Sequence, residues 1–194
     1  MFSYYLGSLG SDVELAAWGA VQKISNALMA ITIGVAQGVR PLLAYNYAAG
    51  LYARVRALIR GAFVVMLAYV ALALVLVHLF PSPIVRLFVT EERAVETAVY
   101  FLEVWTYTIV FIGVLELFNA IFQAFGKWKI SLANIVVDKG CLLTPVLILL
   151  VRWRGIEGIA YSQIITEGIT AIALTAVYLH IARNMGRDRP KGMD

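Results

Sequence analysis

Five apolar runs fill almost the whole 194-residue chain, at 13–43, 57–80, 95–125, 130–151 and 155–181, separated by charged and turn-forming residues. A helix rises about 1.5 Å per residue, so roughly 20 apolar residues cross the ~30 Å hydrocarbon core of a bilayer. Every run reaches that length. A soluble core of this size needs neither apolar residues at 61% of positions nor a mean hydropathy of +0.82. The pattern predicts an all-α, polytopic transmembrane bundle of five spans, with the lipid bilayer as its solvent and first partner.

The basic residues follow the loops. Arg54, Arg56 and Arg60 separate the first two runs, Lys127 and Lys129 the third and fourth, and Arg183, Arg187, Arg189 and Lys191 follow the last. The alternate loops hold only Arg86, Arg93, Arg152 and Arg154, partly offset by Glu91, Glu92 and Glu96. By the positive-inside rule the richer set is cytoplasmic, so the C-terminus is expected inside, in a multi-pass protein of the cell membrane. This topology accounts for the net charge of +4 and removes the case for a nucleic-acid partner. Residues 183–194 read as a basic cytoplasmic tail, and residues 13–182 as one helical lobe. Residues 1–12 carry no basic residue, and their start reads as the last turns of a preceding membrane helix with a short external loop.

Cys141 is the single cysteine, inside an apolar run, and His78 and His180 lie far apart. No CxxC or HxxxH spacing exists, so neither a disulfide framework nor a metal site is expected. No Ser/His pair, HExxH or paired-aspartate motif falls on a suitable helix, so an intramembrane enzyme is the weakest class.

Polar residues inside the runs carry the functional signal, because polar groups in lipid are costly and face other helices or water. In the first run Gln22, Asn26, Met29, Ile33, Gln37 and Arg40 recur at spacings of three and four, which puts them on one helix face. Cavity lining and interhelical hydrogen bonding stand as equal readings of the two glutamines and Asn26. Run 57–80 is plain and reads as a lipid-facing wall, with nothing polar between Arg60 and His78. Pro81 and Pro83 end it, and residues 84–89 read as a short amphipathic segment. In the third run Glu116 lies about ten residues from the cytoplasmic end, and Asn119 and Gln123 follow at i+3 and i+7. In the fourth, Asn134, Asp138, Cys141 and Pro145 share a face. Asp138 and Lys139 should point about 100° apart and fail to meet the same neighbour equally, which leaves open a charge pair with other helices or an inward-snorkelling Lys139. In the fifth, Gln163, Thr166, Glu167 and Thr170 share a face. Three helices thus each offer a deep acid, Glu116, Asp138 and Glu167, which together read as an internal polar pathway for ions or cationic substrates.

The segment GVAQGVRPLLAYNYAAG (34–50) resembles part of the multidrug and toxic compound extrusion (MATE) transporters, in which a glycine-and-glutamine helix runs through a proline into a Tyr-Asn-Tyr-Gly-Ala-like turn. FPSPIVRLFVTEE (80–92), FQAFGKWKIS (122–131), Pro145 and GIEGIAYSQIITEGI (155–169) are similar to later marks of that family, in the same order over nearly the whole chain. Ala48-Ala49-Gly50 departs from the usual Gly-Ala order. The resemblance implies the C-terminal half of a twelve-helix transporter, from the eighth helix through the twelfth, with the N-terminal lobe missing and supplied in cis or in trans. It implies export of lipophilic, often cationic small molecules against proton or sodium flow by alternating access, with no cofactor besides that coupling ion. Glu116, Glu167 and Asp138 are the candidate coupling residues. Gln22, Asn26, Gln37, Asn119, Gln123, Gln163 and Thr166 are the candidate cavity lining. The alternatives are a lipid-linked oligosaccharide flippase of the same superfamily, which the scarcity of deep basic residues disfavours, and a non-transporting truncated membrane fragment.

Overall fold

A computed structural model describes residues 12–155 and 157–184. The expectations for residues 1–11 and for the tail beyond residue 184 lie outside the described residues. The described chain is helical: α1 Asp12–Ala48, α2 Tyr52–Leu79, α3 Pro81–Arg86, α4 Glu92–Thr106, α5 Thr108–Ala124, α6 Trp128–Ile135, a π-helical segment Val136–Leu142, α7 Leu143–Arg154 and α8 Glu157–Asn184. Four helical stretches are long and apolar enough to cross a membrane, and α4 with α5 makes a fifth across a 42° bend.

The bend divides the third run, which the sequence presents as continuous, at Tyr107. Thr106 donates its hydroxyl to the Leu102 carbonyl at 2.5 Å. Such back-bonding can tilt a helix, but Thr166, Thr170 and Thr175 make the same bond within the unbroken α8, so it does not by itself account for the bend. The exposed Tyr107 ring lies edge-on to His78, with centroids 5.2 Å apart.

Helix α5 is the axle of the bundle and packs against α1, α2, α4, α6 and α8. Its buried positions run almost all the way round, from Thr108 to Phe122, as expected of a helix enclosed by others. Helix α1 buries one stripe only, including Ala17, Val21, Ile24, Thr32, Ala36 and Leu43, and leaves Gln22, Asn26 and Gln37 open on the opposite side. Helix α2 buries Val55, Ile59, Met66, Val70, Ala73 and Val77 at helical spacing and exposes Val64, Val65, Leu72 and Val75. That outer surface has the composition of a lipid-facing wall. On the side that packs against α1 the Tyr69 hydroxyl donates to the Leu28 carbonyl at 2.7 Å, a polar contact inside the stretch the sequence presents as plain.

Two helix ends close with the same device. Gly50 and Gly126 adopt φ of +69° and +71°, which L side chains rarely hold. At one, Leu51 N–H donates to the Asn46 carbonyl and Gly50 N–H to that of Tyr47; at the other, Lys127 pairs with Phe122 and Gly126 with Gln123. This is the Schellman pattern, which satisfies the orphan carbonyls of a helix end. Tyr47 stacks on Phe125 with centroids 4.2 Å apart, so the two turns sit side by side at one end of the bundle.

Candidate functional site

Midway along the bundle, the polar faces of α5, α6, the π-helical segment and α8 meet. Glu116 and Asn119 come from α5, Asn134 from α6, Asp138 and Lys139 from the π-helical segment and Glu167 from α8. With Met29 of α1 and apolar neighbours they line a cleft of about 100 Å³. Asp138 and Glu167 are each only 4% exposed. An uncompensated buried carboxylate costs several kcal/mol, so both need a partner. Lys139 supplies it: its ammonium lies 2.9 Å from Asp138 Oδ2 and bonds Oε1 of Glu167.

The charge pair with another helix that the sequence left open does form, and this geometry corrects only the expectation that Asp138 and Lys139 cannot face the same neighbour equally. Both reach α8, because Thr170 Oγ1 lies 3.1 Å from Asp138 Oδ1 while Lys139 holds Glu167. The chief reason is the reach of Lys139, whose long side chain brings its ammonium to the adjacent Asp138 as well as to Glu167. The π-helical turn, in which Leu143 N–H donates to the Asp138 carbonyl five residues back, adds only a slight narrowing of the angle between consecutive side chains. Pro145, just beyond, has no N–H to give the Cys141 carbonyl and its ring crowds that carbonyl, which favours the wider turn. The changed register also turns Cys141 and Pro145 outward; both are exposed while Asp138 is buried.

Other polar contacts stiffen the cleft. Asn134 Nδ2 donates to Asn119 Oδ1 at 3.3 Å, and Ser131 Oγ to the Asn119 carbonyl at 3.2 Å. The Thr170 hydroxyl also sits 2.9 Å from the Thr166 carbonyl and donates to one oxygen at a time. Glu116 differs from the other acids: among the described residues its carboxylate makes no hydrogen bond or ion pair, and the residue is half-buried.

The remaining predicted residues fall elsewhere. Gln22, Asn26 and Gln163 line a smaller pocket of about 80 Å³ with Trp18, Ser25, Met29 and Trp105. Trp105 Nε1 donates to Gln163 Oε1 at 2.7 Å. Gln37 and Gln123 line an open groove of about 710 Å³ with Arg40, which donates to Gln123 Oε1 at 2.7 Å. Thr166 lines none of these spaces; it is buried and donates to the Ser162 carbonyl of its own helix at 2.7 Å. Met29 borders both the pocket and the cleft, and Ile135 borders both the cleft and the groove. Among the described residues no three His, Cys, Asp or Glu side chains are grouped to hold a metal ion. The residue that sequence reasoning undervalued is Lys139. Its signal is a lysine deep in an apolar run beside an aspartate, and snorkelling explained it too readily.

The MatE family model matches residues 1–148. Similar curated proteins include the multidrug export protein MepA of Staphylococcus aureus strain N315, 26% identical over 87% of this chain and 37% of its own length. The MepA of Staphylococcus haemolyticus strain JCSC1435 is 27% identical over 90% of this chain and 38% of its own. The chain thus spans under two fifths of the length of these relatives. Among solved structures, the crystal structure of a proline-to-alanine mutant of a MATE protein superposes with a TM-score of 0.82 and 18% identity, over 94% of this chain and 41% of that one. With its apolar helices, its fold and the family match in agreement, this chain is a multi-pass membrane protein and belongs to the MatE family.

Proposed function

We propose that this chain is the C-terminal lobe, from about the eighth helix to the twelfth, of a cation-coupled multidrug efflux transporter. The observation that carries the reading is the convergence of Glu116, Asp138 and Glu167, from three separate helices, on one cleft beside the open polar side of α1. Acids inside a membrane bundle are expensive and mark ion or substrate pathways. The multidrug export function of the similar MepA proteins agrees with that chemistry.

In this reading the lobe works with a second lobe, in cis or in trans, that covers the α1 face and encloses a central cavity. The coupled Gly50 and Gly126 turns lie at the cytoplasmic end. Glu116 alternates between a charged state that attracts a lipophilic cation and a state neutralised by a proton or a sodium ion. Transport follows because the two loaded states favour opposite orientations of the lobes; a ligand shifts a conformational equilibrium only by its differential affinity for the two states. Asn119 and Asn134 hold the wall of the cleft while Gln22, Gln37 and Gln123 present amides to the cavity.

The test is efflux of a fluorescent lipophilic cation from cells expressing the native gene product. Glu116→Gln keeps the shape and removes the charge, so coupled efflux should vanish while the amount of protein in the membrane stays the same. Undiminished efflux from that variant would remove Glu116 from the mechanism.

A further inference from the structure

Lys139 is the hub of the cleft. Asp138 and Glu167 both contact its ammonium, and Glu116 lines the same space. The carboxylates meet at the lysine rather than at one another, consistent with the lack of any metal-holding group of acids among the described residues. An ammonium is a compact, strongly hydrated point charge with three donors, and a hard cation likewise takes oxygen ligands from carboxylates and hydroxyls. Asp138 Oδ2, Glu167 Oε1 and the nearby Thr170 hydroxyl are such oxygens, and the first two are already engaged.

We propose that Lys139 is a tethered internal cation whose ammonium fills the position between Asp138 and Glu167 and thereby excludes a free sodium ion from it. The inference rests on the reading of this cleft as the coupling centre and specifies which residue sets its ion selectivity. With Asp138 and Glu167 occupied, Glu116 is the acid left open to exchange. A mobile cation reaches the other two only by displacing Lys139, whose side chain keeps 54% of its surface open.

The test measures melting temperature of the purified native gene product in sodium chloride and in choline chloride of equal ionic strength. The wild-type protein should melt at the same temperature in both. Lys139→Met should melt lower in choline, and sodium should raise it by roughly 2–4 °C, the scale of a ligand at several times its Kd. Lys139→Arg, which keeps the charge, should show no sodium response. Sodium stabilisation of the wild type equal to that of Lys139→Met, or indifference of Lys139→Met to sodium, overturns the proposal. If Lys139→Met does not fold, Asp138→Asn and Glu167→Gln are added to it. Recovery of a folded, sodium-indifferent protein supports the charge role, and failure to recover assigns Lys139 to packing and overturns it. The melting experiment needs no transport, so a protein that shows this pattern without efflux refutes only the transporter reading. One that exports without the pattern refutes only the role of Lys139.

Discussion

Met66 occupies the notch left by Gly113. A Cβ built at Gly113 would sit 3.1 Å from both Cγ and Sδ of Met66 and 3.5 Å from Val70. Methionine is unbranched and yields easily, so Gly113→Ala should be nearly neutral. Gly113→Leu has nowhere to go at the axle of the bundle and should cost about 1–3 kcal/mol, the usual range for overpacking. Thermal melts of the two variants in detergent check the pair, and equal stability would show that α2 and α5 are not in this close contact. At this scale the sequence is readable where side chains follow the α period. Glu116 and Asn119, at i and i+3, do line one cleft, and Asp138 and Glu167 join them. Thr166 shares that periodicity with Glu167, yet its hydroxyl turns back to its own helix. Periodicity gives the face of a residue and not the partner of its hydroxyl, because Ser and Thr can always choose the backbone.

Among the elements, the π-helical segment most limits what could be foreseen. A step of about 100° per residue along 130–151 separates Asp138 from Lys139, yet both meet α8, because the long lysine side chain reaches Glu167 while Asp138 meets Thr170; the π pitch itself shows in the outward turn of Cys141 and Pro145. Nothing in the composition of VVDKGCL announces this pitch; Pro145 is the one local mark, and it is more often a passive kink. The cause suggests a measurement. Pro145→Ala restores an N–H for the Cys141 carbonyl, so the turn should tighten toward α and amide hydrogen exchange across 136–142 should slow. Unchanged exchange would mean that tertiary packing, and not the proline, sets the pitch. The bend at Tyr107 escaped for a similar reason. The run 95–125 is continuous in hydropathy, and it holds no proline or glycine at Tyr107 to mark the break.

For the molecule as a whole, the two sides of the bundle meet different surroundings. α2 shows Val64, Val65, Leu72 and Val75 outward, whereas α1 shows Gln22, Asn26 and Gln37 interspersed with Ile31, Ile33 and Leu42. Single cysteines at Gln22, Asn26 and Gln37, in a Cys141→Ser background, should react with a polar maleimide in intact membranes. Cysteines at Leu72 and Val75 should not, because lipid keeps thiols protonated and excludes the reagent. Equal reactivity on the two sides would refute an aqueous cavity along α1. This division was legible from the sequence, since a polar stripe on a membrane helix needs something other than lipid to face.

Met29 and Ile135 each border two of the polar spaces described above. Proton conduction needs an unbroken chain of hydrogen-bonding groups and water, and neither side chain offers a donor or a strong acceptor. Apolar side chains, and not a continuous run of hydrogen-bonding groups, thus join the cleft to its neighbours along the bundle. The charged centre opens sideways instead, through the half-exposed Lys139 and Glu116.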